Sequence, residues 1–182
     1  MKLLRIIPSI NPKVGGPPEG IRNITPHLLR NGIYTTILTS DDLNSDFGDK
    51  DLDIINLGGR ISMWGYAPKL SQWLQLNLGK YDVVICHGLW LYHSFATRLA
   101  IMRLRKKGIS VPKLFLMPHG MLDPYFQKSE TRRIKSIRNF IYWLFIERIN
   151  VEKSDGVLFT CDEEMRLART TFPLYKPKAT YN

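Results

Sequence analysis

The sequence predicts an α/β protein: a Rossmann-like, doubly wound parallel sheet of about six or seven strands with helices on both faces. Three observations carry that expectation. Short apolar runs alternate with longer stretches of helical periodicity along the whole chain. No hairpin signal joins consecutive runs, so the strands are expected to be parallel, with right-handed crossovers. Several runs stop at a Pro, a Gly or a His-Gly pair, as strands do when they deliver polar groups to one sheet edge.

The elements follow in order. Residues 2–7 form a strand that Pro8 stops, followed by the Gly- and Pro-rich loop SINPKVGGPPEG. Ile21, Ile24 and Leu28 stand at helical spacing, and Asn31-Gly32 suits a left-handed cap. Pro26 lies inside this helix and is expected to kink it or delay its start. Tyr34–Thr39 is the second strand, which completes a βαβ unit. Residues 41–50 are acidic and polar and read as a surface loop. A third strand at 53–57 ends at Gly58-Gly59, and an irregular loop at 60–67 contains Trp64 and Tyr66. Leu70, Trp73, Leu74 and Leu78 mark a helix closed by Gly79. The clearest strand, YDVVIC at 81–86, runs into His87-Gly88-Leu89-Trp90. Residues 91–107 are helical, with a basic end suited to the negative end of the helix dipole.

The fifth strand, Lys113–Met117, runs into Pro118-His119-Gly120. A long helix is expected over 130–153, ended by Asp155-Gly156. Its periodicity assigns Ile134, Ile137, Ile141, Leu144 and Phe145 to the core. Arg132, Lys135, Asn139, Tyr142, Trp143 and Ile146 then fall on the other side, with Trp143 partly exposed. A sixth strand spans 157–161, and Asp162 is the expected N-cap of a last helix through about 168. Pro173 and Pro177 give an extended tail.

In an open sheet of this kind ligands sit at the carboxyl edge, beside the switch point, here expected between the first and fourth strands. That placement brings Gly15-Gly16, His87-Gly88-Leu89-Trp90 and Pro118-His119-Gly120 to one crevice. The His119 imidazole can give or take a proton near neutral pH. Asp123, four residues on, could orient or charge-balance it. Gly15-Gly16 allows close backbone approach, and the helix N-terminus beyond it favours an anion. GGPPEG is nevertheless neither a Walker A loop nor G-x-G-x-x-G, and Pro17 and Pro18 lack the N–H groups of a phosphate cradle.

Composition bounds the partners. The 182 residues fit one domain, with 44% hydrophobic and 23% charged residues. Cys86 and Cys161 read as buried thiols in a reducing compartment. The apolar start MKLLRIIPSI is broken by Arg5 and Pro8, too early for a signal peptide, and no run reaches the length of a membrane span. A cytoplasmic protein is expected. A net charge of +10 favours nucleic acid, anionic membrane or phosphorylated substrates. Two cysteines allow no zinc-finger spacing and no RRM-type aromatic signature is present, so nucleic acid is not expected.

Four stretches together resemble the N-terminal domain of family 4 glycosyltransferases, retaining enzymes with the two-domain GT-B fold. They are Pro8-Ser9 with GGPPEGIRNITPHLLRNG, YDVVICHGLW, PHGMLDPYF and VLFTCDEE, in the right order over nearly the whole chain. The resemblance implies transfer of a sugar from a nucleotide-sugar to an acceptor hydroxyl, with retention, in cell-surface polysaccharide or glycoconjugate synthesis. His119 matches a histidine that lies beside the reacting sugar; some relatives carry arginine there. The resemblance makes Gly15, Gly16, Glu19, His87, Trp90 and Asp123 substrate-binding, with His87, Trp90 and Asp123 on the acceptor side. It implies no metal and no cofactor beyond the nucleotide-sugar substrate. A glycan or lipid-linked acceptor is implied. The basic and aromatic side of the 130–153 helix has three readings: burial within this domain, cover by the donor-binding domain, and a peripheral contact with anionic lipid, which the resemblance allows.

The resemblance also implies a partition: an acceptor-side domain over 1–172, the start of an interdomain linker at 173–182, and a donor-binding C-terminal domain absent from this sequence. The chain alone is then expected to be inactive. Two other classes compete: a non-enzymatic module binding a nucleotide or an anionic polymer, and a dinucleotide-dependent oxidoreductase using Asp41-Asp42 after the second strand.

Overall fold

A computed structural model of the chain describes residues 1–59, 61–128 and 133–182. Seven parallel strands form one sheet: β1 Lys2–Ile6, β2 Tyr34–Thr39, β3 Asp53–Asn56, β4 Val83–His87, β5 Lys113–Met117, β6 Gly156–Leu158 and β7 Thr180–Tyr181. Their order is β3-β2-β1-β4-β5-β6-β7, so the chain switches direction of travel between β1 and β4, as the sequence predicts. Around the sheet lie α1 Gly16–Arg30, α2 Pro68–Asn77, α3 Tyr92–Lys106, α4 Tyr125–Lys128, α5 Arg133–Tyr142, α6 Arg148–Lys153 and α7 Asp162–Thr171. Leu4, Leu38, Val84, Leu114 and Leu116 in the central strands are fully or almost fully buried. A sheet covered on both faces accounts for runs that are apolar rather than alternating.

Several boundaries differ from expectation for physical reasons. Helix α1 begins inside the stretch read as a loop, because Pro17 and Pro18 stand in its first turn, where no N–H is needed and a fixed φ helps. It continues through Pro26 to Arg30. Helix α7 starts at Asp162 itself, with Cys161 in the cap position. Cys86 is buried as expected, but Cys161 is exposed. The expected extended tail joins the sheet: Thr180–Tyr181 pairs with β6 as an edge strand. Gly156 permits this, since a Cβ there would stand 2.9 Å from the Tyr181 ring and 3.2 Å from that of Phe115.

The largest departure is in the predicted long helix. Its expected start at 130 and Arg132 lie outside the described residues. From Arg133 it runs as α5, a π-helical turn at Trp143–Glu147, and α6. The helical period is right and the face is largely inverted, although Leu144 packs against the core as expected. Trp143 is fully buried, its ring 4.8 Å from that of Phe172, and it donates Nε1–H to the Pro173 carbonyl at 2.8 Å. Ile134, Ile137, Ile141 and Phe145, expected in the core, are 86%, 62%, 52% and 71% exposed. A Trp buries more apolar area than any one Ile, and its N–H found a carbonyl, so the aromatic side became the anchor. The π turn adds a residue and shifts the phase by about 100° on either side of it. The contact expected through an exposed Trp143 therefore does not exist. Among the described residues no helix is long and apolar enough to cross a membrane.

Candidate active site

The β1–β4 switch opens a crevice of about 770 Å³ at the carboxyl edge of the sheet. Its lining includes Arg5, Gly16, His87, His119, Asp123 and Glu164. Strand β4 ends on His87, and Gly88 turns the chain at φ 83°, its N–H donating to the Met117 carbonyl at 2.8 Å. Strand β5 ends at Met117; Pro118 then leads to His119 at φ 54° and Gly120 at φ 78°. A left-handed conformation is costly for a residue with a Cβ, so something must hold His119 there. Glu164 does so from α7. Its Oε1 accepts the Gly120 N–H at 2.6 Å, and its Oε2 accepts the Thr160 N–H and hydroxyl at 2.8 and 2.7 Å.

A chain of nitrogen contacts crosses the crevice floor. Arg5 Nη1 lies 3.0 Å from His87 Nε2, and His87 Nδ1 lies 2.9 Å from His119 Nε2. The two imidazoles are 5.1 Å apart between centroids and inclined by 19°. With the nitrogens in contact, that geometry is head-to-tail and near coplanar, as an N–H···N bond requires. Arg5 is 8% exposed, and its Nε finds no partner. Burial lowers its pKa to about 10, which still leaves it charged at neutral pH. Burial, then the Arg5 charge and the neighbouring histidines, hold His87 well below the usual imidazole value. His119 is lowered by burial and by Arg5, against the opposing charge of Glu164. Both imidazoles are thus neutral at pH 7.

The expected site residues divide. Gly16, His87, His119 and Asp123 meet in the crevice. Gly15 stands at the entrance of α1 at φ 118°, and its N–H is taken up by the Pro12 carbonyl at 3.2 Å. Glu19 points away into a 3.0 Å ion pair with Arg22 on the exposed side of α1. Asp123 lines the crevice but binds the Tyr125 N–H at 2.8 Å; His119 takes His87, not Asp123, as its partner. Trp90 belongs to a second cavity of about 590 Å³, lined also by Trp64, Met121, Arg138, Asn139 and Tyr142. There Trp64 donates Nε1–H to the Tyr142 hydroxyl at 2.6 Å. Trp90 is itself left-handed, at φ 67°, with its N–H held by Glu147 Oε1 at 2.9 Å. Asp41 is used structurally: it accepts the Ile10 N–H at 2.8 Å.

Arg5, Glu164 and Glu147 are not among the residues expected in the site, and Tyr142, expected on an outward helix face, lines the aromatic cavity instead. Arg5 carried a usable signal, a charge in the middle of an apolar strand. Glu147 carried none, because it acts on the Trp90 N–H far away in the chain; Glu164 binds Thr160 locally, but its hold on the Gly120 N–H, 44 residues away, had no signal.

The fold agrees with what the chain is similar to. Sucrose-phosphate synthase from Thermosynechococcus elongatus superposes with a TM-score of 0.59 at 17% identity, over 99% of this chain and 47% of that chain. At that identity the likeness is one of fold, that of the N-terminal half of a GT-B glycosyltransferase, and this chain spans about half the other's length. No curated protein matches the sequence. The glycosyl transferase 4-like domain family matches residues 15–181, which takes in every crevice-lining residue named above except Arg5. On that match over nearly its whole length, the chain belongs to the glycosyl transferase 4-like domain family.

Proposed function

We propose that this chain is the acceptor-side domain of a retaining glycosyltransferase that moves a sugar from a nucleotide-sugar to an acceptor hydroxyl, in cell-surface polysaccharide or glycoconjugate synthesis. The observation that carries the reading is the convergence of both His-Gly loops and the α1 N-terminus on one crevice, in a chain of this family. His119 contacts the donor sugar beside the reacting carbon. The leaving phosphate, rather than His119, takes the acceptor proton. Gly16 approaches substrate through its backbone, with Gly15 setting the entry of the helix. The acceptor lies on the Trp90 side, where aromatic walls and Asn139 suit a glycan. The His87 and His119 nitrogens facing each other are already paired, so the reading assigns them no metal.

In this reading residues 1–172 form the acceptor-side domain, and the chain after 172 leads to a donor-binding domain. The 182-residue chain by itself then has no turnover. A radiolabelled nucleotide-sugar transfer assay on the chain, alone and joined to a donor-binding domain, tests this. Transfer only by the joined protein is expected; robust transfer by the chain alone overturns it.

The partner surface is the exposed face of α5 and of the π-helical turn after it. Ile134, Ile137, Ile141 and Phe145 share it with exposed Lys135 and Arg138, and no acidic residue occurs from 133 to 146. Basic charge beside an apolar stripe complements an anionic lipid surface. We assign this face, not the Trp143 face, to peripheral contact on the cytoplasmic side of a membrane.

A further inference from the structure

The guanidinium of Arg5 has donors and no acceptor. In the 3.0 Å contact with His87, Arg5 must therefore donate, and His87 Nε2 must be the unprotonated nitrogen. A neutral His87 then carries its proton on Nδ1 and donates it across 2.9 Å to His119. His119 Nε2 is in turn the acceptor, so the proton of neutral His119 is on Nδ1. That Nδ1–H has no partner among the described residues, and His119 lines the crevice.

We infer that Arg5 is a positioning residue that fixes the tautomers of His87 and His119, so that His119 offers the crevice a single hydrogen-bond donor, Nδ1–H. The direction of the whole chain follows from one group that can only donate. His119 cannot serve as a proton acceptor at Nε2 while His87 occupies it. The substrate atom it meets is an oxygen lone pair: a hydroxyl, a ring oxygen or a phosphate oxygen. The Arg5 charge behind the chain polarises each donor in turn and strengthens the last one. Only the substrate side of this inference rests on the crevice being the reaction site; the tautomers do not.

The structure supplies an internal control. His93 Nε2 lies 2.9 Å from the His87 carbonyl, an acceptor only, so neutral His93 carries its proton on Nε2. The chain has four histidines, few enough to assign each by a His→Gln variant.

The test is a long-range ¹H–¹⁵N correlation spectrum of the 182-residue chain, labelled with ¹⁵N-histidine, at pH 8. His87 and His119 are expected with protonated Nδ1 and His93 with protonated Nε2. In Arg5→Met the exclusive Nδ1–H pattern of His87 and His119 should be lost, with His93 unchanged; Arg5→Lys, which still donates, should keep it. A wild-type spectrum with His87 or His119 protonated on Nε2 overturns the inference. So does an Arg5→Met spectrum identical to wild type. If Arg5→Met does not fold, the wild-type and Arg5→Lys spectra still decide. No outcome depends on glycosyl transfer, so a failed transfer assay leaves the tautomer result standing.

Discussion

The loops that follow β4 and β5 use the same backbone device for different ends. Each turns through a left-handed residue that is not glycine, Trp90 in one and His119 in the other. Each is pinned by a glutamate that accepts a backbone N–H, Trp90's by Glu147 and Gly120's by Glu164. The settings differ. Glu147 is fully buried and also binds Ser94 and Asn150, and Asn150 accepts from Arg98 at 2.6 Å. Glu164 is also largely buried but lines the crevice, and among the described residues it binds only Thr160 besides. The β4 loop is thus held from the interior and presents an aromatic wall. The β5 loop is held from the edge and presents an imidazole to the crevice. Three residues, from His87 to Trp90, separate the two kinds of surface.

Removing the two glutamates is the strongest way to break this comparison. Glu147→Ala leaves the Trp90 N–H without its acceptor and the buried Arg98 without its opposing charge, and should cost on the order of 3–5 kcal/mol in urea unfolding. Glu164→Ala, at the crevice edge, should cost about 1–3 kcal/mol. Equal costs, or the reverse order, would remove the distinction between an interior and an edge anchor.

Acid provides the next test. His87, His93 and His119 have folded pKa values below the ordinary 6.5, chiefly because burial disfavours their charged forms; that of His93 is about 4. Between the two values the unfolded chain binds more protons, so this stability is present above about pH 6.5 and lost as pH falls. His93 alone should remove about 3 kcal/mol by pH 4, since one pKa unit is worth about 1.4 kcal/mol. Glu147 works in the opposite sense: its raised pKa costs stability as pH rises through its range. A urea midpoint flat from pH 7 to pH 4 would contradict neutral buried histidines.

Activity should follow the same sign. The acid limb for His119 is expected below pH 6.5 in an enzyme containing this domain. Glu164→Gln should move it lower, and Arg5→Met higher, because the first removes a charge that favours protonation and the second one that opposes it.

The smallest expected effect is at the surface. The chain should float with anionic vesicles and not with neutral ones at low salt, and Ile137→Asp or Arg138→Glu should weaken that binding several-fold. Equal flotation with neutral vesicles, or none with either, would leave the α5 face without a lipid partner.

How much of this was legible varied with the range of the interaction. Strand endings at Pro8, His87 and Pro118 were readable because Pro and Gly act locally, and from them the crevice followed. The side of α5 that packs was not readable. Period alone cannot say which of two faces is core when one holds isoleucines and the other Tyr142 and Trp143; the Pro173 carbonyl and Phe172 ring, thirty residues on, decided it. The partner of His119 was equally hidden. Asp123 is near in sequence, whereas His87 arrives by the pairing of β4 with β5, which places His87 opposite Met117.

In the proposed function the crevice does the chemistry and the aromatic cavity the recognition. The direct measurement is steady-state transfer by the two-domain enzyme carrying His119→Ala or Trp90→Ala. His119→Ala should lower kcat by roughly tenfold to a thousandfold with the fold intact, as loss of one transition-state contact does. Trp90→Ala should raise the acceptor KM about tenfold and leave kcat nearly unchanged. An unchanged kcat in His119→Ala, or a kcat loss in Trp90→Ala as large as that in His119→Ala, would contradict the claim.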